Sequence, residues 1–330
     1  MKNHQPNFRL SRRHVLGAAA TLALAGPLAV RAQDSKPMEW VVGMAAGGGS
    51  DVVARTVAEA MGKQLGRTIV VVNKPGAATN IAADYVAKSR DVDSVLLTGD
   101  FATLASNPWL YGKLGYNAER DLGSVGMLVR FPLIVVVSPN HPAKTFKELG
   151  AWIKAQRDPV SYASPGAGTP HHLATELLLR KLGLKGSHIP YRGASPALQD
   201  VIGGQVPFML VESAGGLPLI QSGKLRALAV GTAQRMKTLP DVPTLQEQGV
   251  AGFEAFAWQG LSVPAGASPA NVARLSKALQ GALETTMVKA RFQALGVEAM
   301  PGTPEQMNRF AKAERERWGA LITELQLKLD

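Results

Sequence analysis

Two stretches carry residue types at a spacing that could do chemistry: Gly47-Gly48-Gly49-Ser50-Asp51 and Ser164-Pro165-Gly166-Ala167-Gly168-Thr169-Pro170. In each, glycines let backbone N–H groups approach a ligand closely, and a helix is predicted to start at once. A helix start adds unpaired donors and a partial positive charge, so the natural guest is a negatively charged group. Thr169 suits the N-cap, and Pro170 takes the first helical position, where its missing N–H costs nothing. Two such cradles, far apart in the chain, point to one ligand held between two lobes.

The elements that must position these loops follow from periodicity. An apolar run at 40–44 reads as a strand, and apolar residues at helical spacing follow over 52–61. A strand at 68–72 leads to the turn Asn73-Lys74-Pro75-Gly76, and Thr79 or Asn80 is expected to cap a helix reaching residue 88. A third strand, 95–98, ends in a loop at 99–103. Strands alternating with helices predict a parallel sheet with its ligand sites at the strand C-terminal ends, where all three loops fall. A second unit reads as a strand at 133–139, a helix at 146–156, a strand at 161–163 and a helix from Pro170 to the stop at Gly183. Ser195-Pro196 is read as a further cap. Strands are predicted at 206–211, ending in Glu212-Ser213, at 225–230 and at 258–264. Only helical patterns follow: 270–285, 288–295 and 304–327, the last packing back on the first lobe. The expected fold class is α/β, each lobe a sheet flanked by helices. Lobe one spans 37–135 and 257–330 and lobe two 136–256, with two chain crossings between them.

The chain has 330 residues, 46% hydrophobic and 18% charged, which is a globular composition long enough for two cores. Arg12-Arg13 ahead of an apolar run at 15–30 fits a twin-arginine export signal over residues 1–32, cleaved after Ala32. The run is short for a membrane span. Losing Lys2, Arg9, Arg12, Arg13 and Arg31 takes the net charge from +11 to +6, which suits an acidic small ligand. No basic run interleaved with aromatics argues for nucleic acid. Without cysteine there is no disulfide framework, thiolate chemistry or zinc-thiolate site. The first loop lacks the third glycine of a dinucleotide fingerprint, since position 52 is Val, and no Gly-Lys pair is followed by Ser or Thr. His171-His172 are adjacent on a helix and point in different directions, so packing is expected of them, not metal. Gly193-Ala194-Ser195-Pro196-Ala197 faintly echoes a nucleophile elbow. A hydrolase using Ser195 with a histidine is therefore the alternative from another class.

Taken together, several motifs resemble the receptors of tripartite tricarboxylate transporters, the Bug-type periplasmic solute-binding proteins. They are Gly47-Gly48-Gly49-Ser50-Asp51-Val52-Val53-Ala54-Arg55, Val72-Asn73-Lys74-Pro75-Gly76-Ala77, Tyr162-Ala163-Ser164 with Gly168-Thr169, and His172-Leu173-Ala174. Further on stand Pro190-Tyr191-Arg192-Gly193, Gly203-Gly204-Gln205-Val206, Gly223-Lys224-Leu225-Arg226-Ala227-Leu228-Ala229-Val230 and Leu239-Pro240-Asp241-Val242-Pro243-Thr244. They occur in family order over nearly all of the chain that follows the export signal.

The resemblance implies a periplasmic, non-enzymatic, monomeric receptor without a cofactor or metal. It closes on a small organic carboxylate and serves two membrane subunits of a transporter, or acts in sensing. It places the ligand contacts on Met44, Ala45, Ala46, Gly47, Gly48, Gly49 and Ser50, and on Ser164, Ala167, Gly168 and Thr169. Against the family pattern, Met44-Ala45-Ala46 replace an aromatic and prolines, leaving a softer wall for a bulkier or more apolar ligand. Asp100-Phe101 stand in a loop usually rich in Ser, Thr and Gly, and Glu212 stands where Asp is common. Asp100 or Glu212 is expected to accept a hydrogen bond from a ligand hydroxyl, amide or amine, with Phe101 packed on its apolar body. Trp258, at the second crossing, reads either as a core or hinge residue or as a stacking platform.

Overall fold

The computed structural model describes residues 36–329, so the expected export signal at 1–32 lies outside the described residues. Strands β1 (Met38–Val42), β2 (Ile69–Asn73) and β3 (Val95–Asp100) are mutually parallel in the order β2-β1-β3. Helix α1 (Gly49–Leu65) joins the first two, and α2 (Asn80–Ala87) leads toward the third. A π-helical turn at Ala102–Ser106 then runs straight into α3 (Asn107–Leu110). The second unit contains α4 (Phe146–Lys154), β5 (Val160–Ser164), α5 (Pro170–Lys181), β6 (Gly186–Pro190) and α6 (Ala194–Ile202). It is completed by β7 (Phe208–Glu212), α7 (Ser213–Gln221) and β8 (Arg226–Val230), with β5 parallel to both β6 and β7.

One strand ties the two units together. β4 (Leu122–Val137) pairs antiparallel with β9 (Phe256–Pro264) from Leu122 to Pro132. From Leu133 onward it pairs with β7 and β8 instead. Proline is at home at such a change of partner, since it brings no N–H to a ladder. The returning chain passes the same point: Gly231 donates its N–H to the Leu133 carbonyl at 2.7 Å, and Ala255 donates to the Gly231 carbonyl at 2.9 Å. A Cβ on residue 231 would lie 2.8 Å from the Ala255 oxygen, so this close approach of backbones requires glycine.

Helices α8 (Pro269–Leu283), α9 (Thr286–Leu295) and α10 (Pro304–Glu324) complete the chain. α1 and α8 bury Val53, Val57, Met61, Leu275 and Leu279 in one core cluster with Trp40 and Leu128. α10 starts at a capping box, Thr303 with Gln306, and buries Trp318 and Ile322 along one face, packing chiefly on β4 and the π-helical turn. Several details differ from the sequence reading, which contained neither β6 nor α7. β4 begins eleven residues earlier than the apolar run at 133, because Gly123, Ser124, Gly126 and Arg130 interrupt its hydrophobic signal. The short strand β10 (Glu298–Ala299) pairs with β4 inside a region read as helical only. The expected loop after β3 is helical from residue 102. Ser195 does not cap α6, whose N-cap is Gly193.

Candidate functional site

The first glycine loop stands at the C-terminal end of β1 and is held by a carboxylate. Asp51, in the first turn of α1, accepts the Gly47 N–H at 2.9 Å, Arg55 Nε at 3.0 Å and Asn73 Nδ2 at 2.9 Å. Asn73 also donates to the Met44 carbonyl at 3.0 Å, so β2 fixes the other end of the loop. Burial works against the charge on Asp51, but the bonds from Arg55, Gly47 and Asn73 outweigh it and hold the carboxyl below its usual range. Met44, Ala45, Ala46, Gly47 and Gly48 are exposed and Gly49 is half-buried. No side chain caps α1, whose N-cap is Gly48, so the first amides of this helix remain available to an anion. Ser50 is buried, and its hydroxyl accepts from Gln259 Nε2 at 2.5 Å.

The second loop stands at the C-terminal end of β5 and is tied down from within. Ser164 is fully buried: its hydroxyl donates to the Gly166 carbonyl at 2.9 Å and lies 2.6 Å from His188 Nε2. Gly168 donates its N–H to His172 Nδ1 at 3.0 Å. Thr169 caps α5 as expected, accepting from the His172 N–H, and its hydroxyl donates to the Gly166 carbonyl at 2.7 Å. The Ser164 hydroxyl and the Gly168 N–H, both expected to address a ligand, are therefore engaged within the protein. Gly166 and Ala167, both half-buried, form the open part of the loop.

Each loop faces the other half of the molecule. A Cβ on Gly49 would lie 2.9 Å from the Ala214 Cβ and 3.4 Å from Glu212 Oε1, both at the β7–α7 junction. A Cβ on Gly168 would meet Leu110 of α3 at 2.2 Å and Leu329 at 3.3 Å.

The two acids part company. Asp100 is buried, and its Oδ1 accepts the Thr103 N–H at 2.8 Å and the Thr79 hydroxyl at 3.2 Å. Burial pushes its pKa up despite these bonds. Asp100 thus clamps two turns together and is not a free acceptor for a ligand. Thr79, which makes no side-chain cap for α2, reaches Asp100 from a run of left-handed residues: Ala77 (φ 46°), Ala78 (φ 49°) and Thr79 (φ 74°). Such a run is costly for residues with a Cβ and persists only where the surroundings hold it. Glu212 has no hydrogen-bond donor or cation on its carboxyl among the described residues, and burial alone pushes its pKa up to about 7. Of the two, Glu212 is the one whose carboxyl has no protein partner among the described residues.

Phe101, expected beside the ligand, and Trp258, read as either a core or hinge residue or a stacking platform, are 2% and 1% exposed and lie in the core. Phe101 sits edge-on to Trp258 and to Trp318, at ring distances of 6.4 and 5.5 Å. The indole N–H groups of Trp258 and Trp318 both donate to the buried Glu314 carboxylate, at 3.0 and 2.9 Å. Strand alternation supplies the reason: if Trp258 faces this aromatic core, its neighbour Gln259 faces the opposite side, where it meets Ser50. Sequence reasoning favours the larger side chain and misses Gln259, whose Oε1 is buried without a partner. Alternation along 256–264 is the signal for it.

A sheet divided between two lobes by a shared strand, with each glycine loop set against the opposite lobe, defines a two-lobed solute-binding receptor. The chain belongs to the tripartite tricarboxylate transporter family of receptors, whose description matches residues 53–327. It is similar to the periplasmic binding protein BugD, with a TM-score of 0.80 and 34% identity over 89% of this chain and 99% of that one. It is also similar to Rpa4515 of R. palustris, solved with adipate (TM-score 0.83, 28% identity, 89% and 98% covered). A third likeness is to MatC of Rhodopseudomonas palustris, solved with bound malate (TM-score 0.78, 30% identity, 87% and 98% covered). These likenesses set the chain among periplasmic solute-binding proteins.

Proposed function

We propose that this receptor captures a small dicarboxylic acid, of the kind adipate and malate represent, between lobes spanning 37–135 with 257–330 and 136–256. The observation that carries the reading is the contact of the first glycine loop with the β7–α7 junction, where Gly49 faces Glu212 and Ala214. One carboxylate is received by residues 44–50 and the open amides at the start of α1. Ala167 approaches from the second lobe. Closure removes water, and backbone donors count for more in the desolvated site than in the open one. Glu212 meets a hydroxyl or the second carboxyl; a neutral acid there donates a hydrogen bond, where an ionised one would repel. The change of strand partner at Pro132 and Leu133, beside Gly231, supports a hinge within a few residues of the proposed lobe boundaries.

A receptor role is favoured over hydrolysis. Ser195 is exposed in the first turn of α6, and among the described residues His188, which touches Ser164, has no carboxylate hydrogen-bonded to it as a triad would need. The partners in this reading are two membrane subunits of a tripartite transporter, or a sensing system. Export follows from the twin-arginine signal with cleavage after Ala32, and the mature protein acts as a monomer.

A thermal-shift screen of the protein lacking residues 1–32 against adipate, malate, aromatic acids and amino acids tests the reading. Binding stabilises the folded state by mass action, so millimolar acid at about a hundred times Kd adds roughly 2.7 kcal/mol. No shift with any carboxylate would overturn it.

A further inference from the structure

Behind the second loop lies a group of rings that the receptor reading does not use. His172 and His188 stack with their centroids 3.7 Å apart and their planes 11° from parallel. Tyr162 stacks on His188 at 5.1 Å, and its hydroxyl donates to Glu176. His172 belongs to the first turn of α5 and His188 to β6, so the stack joins a helix to a strand beneath the loop. Each imidazole then takes hold of one end of that loop. His188 Nε2 meets the Ser164 hydroxyl at 2.6 Å, and His172 Nδ1 accepts the Gly168 N–H at 3.0 Å.

Glycine lets this loop adopt its shape but does not hold it there. Gly168 has φ +74°, and the side-chain bonds that fix Gly166 and Gly168 come from Ser164, Thr169 and His172. An acceptor at Nδ1 requires that His172 carry its proton on Nε2 and stay neutral. Burial supports this by lowering His172 to about 3 and His188 to about 4.

We propose that His172 and His188 are positioning residues for the second cradle: the stack pins the backbone at Ser164 and Gly168 and thereby presents the Ala167 N–H to the ligand. This rests on the reading of residues 164–169 as half of the binding site.

The test starts with the ligand-free protein, so that it stands apart from the receptor reading. Imidazole nitrogen shifts should show His172 protonated at Nε2 near neutral pH, and the Gly168 amide should exchange slowly. His172→Phe keeps a stacking ring and removes the acceptor, so Gly168 exchange should quicken by about tenfold or more. His172→Asn restores an acceptor near the Nδ1 position and should slow it again. Affinity for adipate should fall about tenfold in His172→Phe and return to within about threefold of the parent in His172→Asn. A proton on Nδ1, or parental Gly168 exchange in His172→Phe, would overturn the proposal. So would equal adipate affinity in all three proteins. If His172→Phe does not fold, the parent's tautomer and the Gly168 exchange in His172→Asn decide the matter. A parent that binds no carboxylate would count against the receptor reading, while the tautomer and the exchange rates would still decide whether the histidines pin the loop.

Discussion

Residues 44–48 stand in solvent, braced by the ionised Asp51 with Arg55 and Asn73, whereas Ser164 and Gly168 are buried and braced by neutral rings. The first helix start has no side-chain cap; the second is capped by Thr169. Both are glycine turns at the C-terminal end of a parallel strand, yet they are held by different physics. A brace made of charge, a buried Asp51 paired with a half-exposed Arg55, leaves backbone donors open and is sensitive to salt and acid. A brace made of buried hydrogen bonds consumes donors but sets the backbone rigidly. In the proposed receptor the first loop would accordingly meet the ligand's charge, and the second would form the wall it is pressed against.

The largest effect that would sharpen this contrast is expected at Gly168. Alanine there meets both a left-handed φ and Leu110 Cδ1 at 2.2 Å, so Gly168→Ala should cost about 2–4 kcal/mol in urea unfolding. Gly48→Ala, with only the Ala45 oxygen at 3.5 Å, should stay within about 1 kcal/mol of the parent while weakening carboxylate binding. Equal losses of stability would break the comparison.

A pH series comes next. Glu212 is raised from 4.5 to about 7, so the folded state binds the extra proton between those values and stability falls as pH rises through that window. Glu212→Gln should remove this slope and add up to roughly 3 kcal/mol above pH 8. His172 and His188 act in the opposite sense. Their folded values lie below the ordinary 6.5, so the unfolded chain takes up protons first as pH drops. Stability from these groups should therefore decline from pH 6.5 down toward 4; the two windows overlap, and because two imidazoles outweigh one carboxyl there, denaturant midpoints measured from pH 4 to 9 should peak at the upper edge of both, at about pH 7.

Asp51→Ala should cost about 1–2 kcal/mol and loosen residues 44–47, seen as faster exchange of the Gly47 amide. The Asp51 carboxyl lies below its ordinary 3.8, so its contribution is present above that pH and fades as pH falls further. Thr169→Ala is expected to have the smallest effect, about 1 kcal/mol from the lost cap, measured by urea unfolding.

Much of this architecture is legible from periodicity. α1, α5 and α8 lie where apolar spacing predicts them, because each buries one stripe against a sheet or a neighbouring helix. The site is legible only in part. Glycine and a capping residue announce a turn at a helix start, so both loops can be named, but not which N–H groups stay unpaired. Phe101 is placed beside the ligand, and Trp258 is left open between core and platform, because an aromatic residue signals burial equally well in a core and in a cleft. Thr79 takes the N-cap position expected of it but makes no side-chain cap, because nothing local reveals that the run at 77–79 is left-handed; Asp100, Thr103 and the contact with Gly43 hold it there.

By itself the amino-acid sequence determined the class of fold, the two glycine cradles and the likeness to a receptor family, since these depend on residue spacing along the chain. Tertiary structure alone decided which acid stays free, which histidine nitrogen accepts, and that Gln259 rather than Trp258 reaches Ser50. Those outcomes depend on groups distant in sequence meeting at hydrogen-bond distance, where burial and the single available partner select one state.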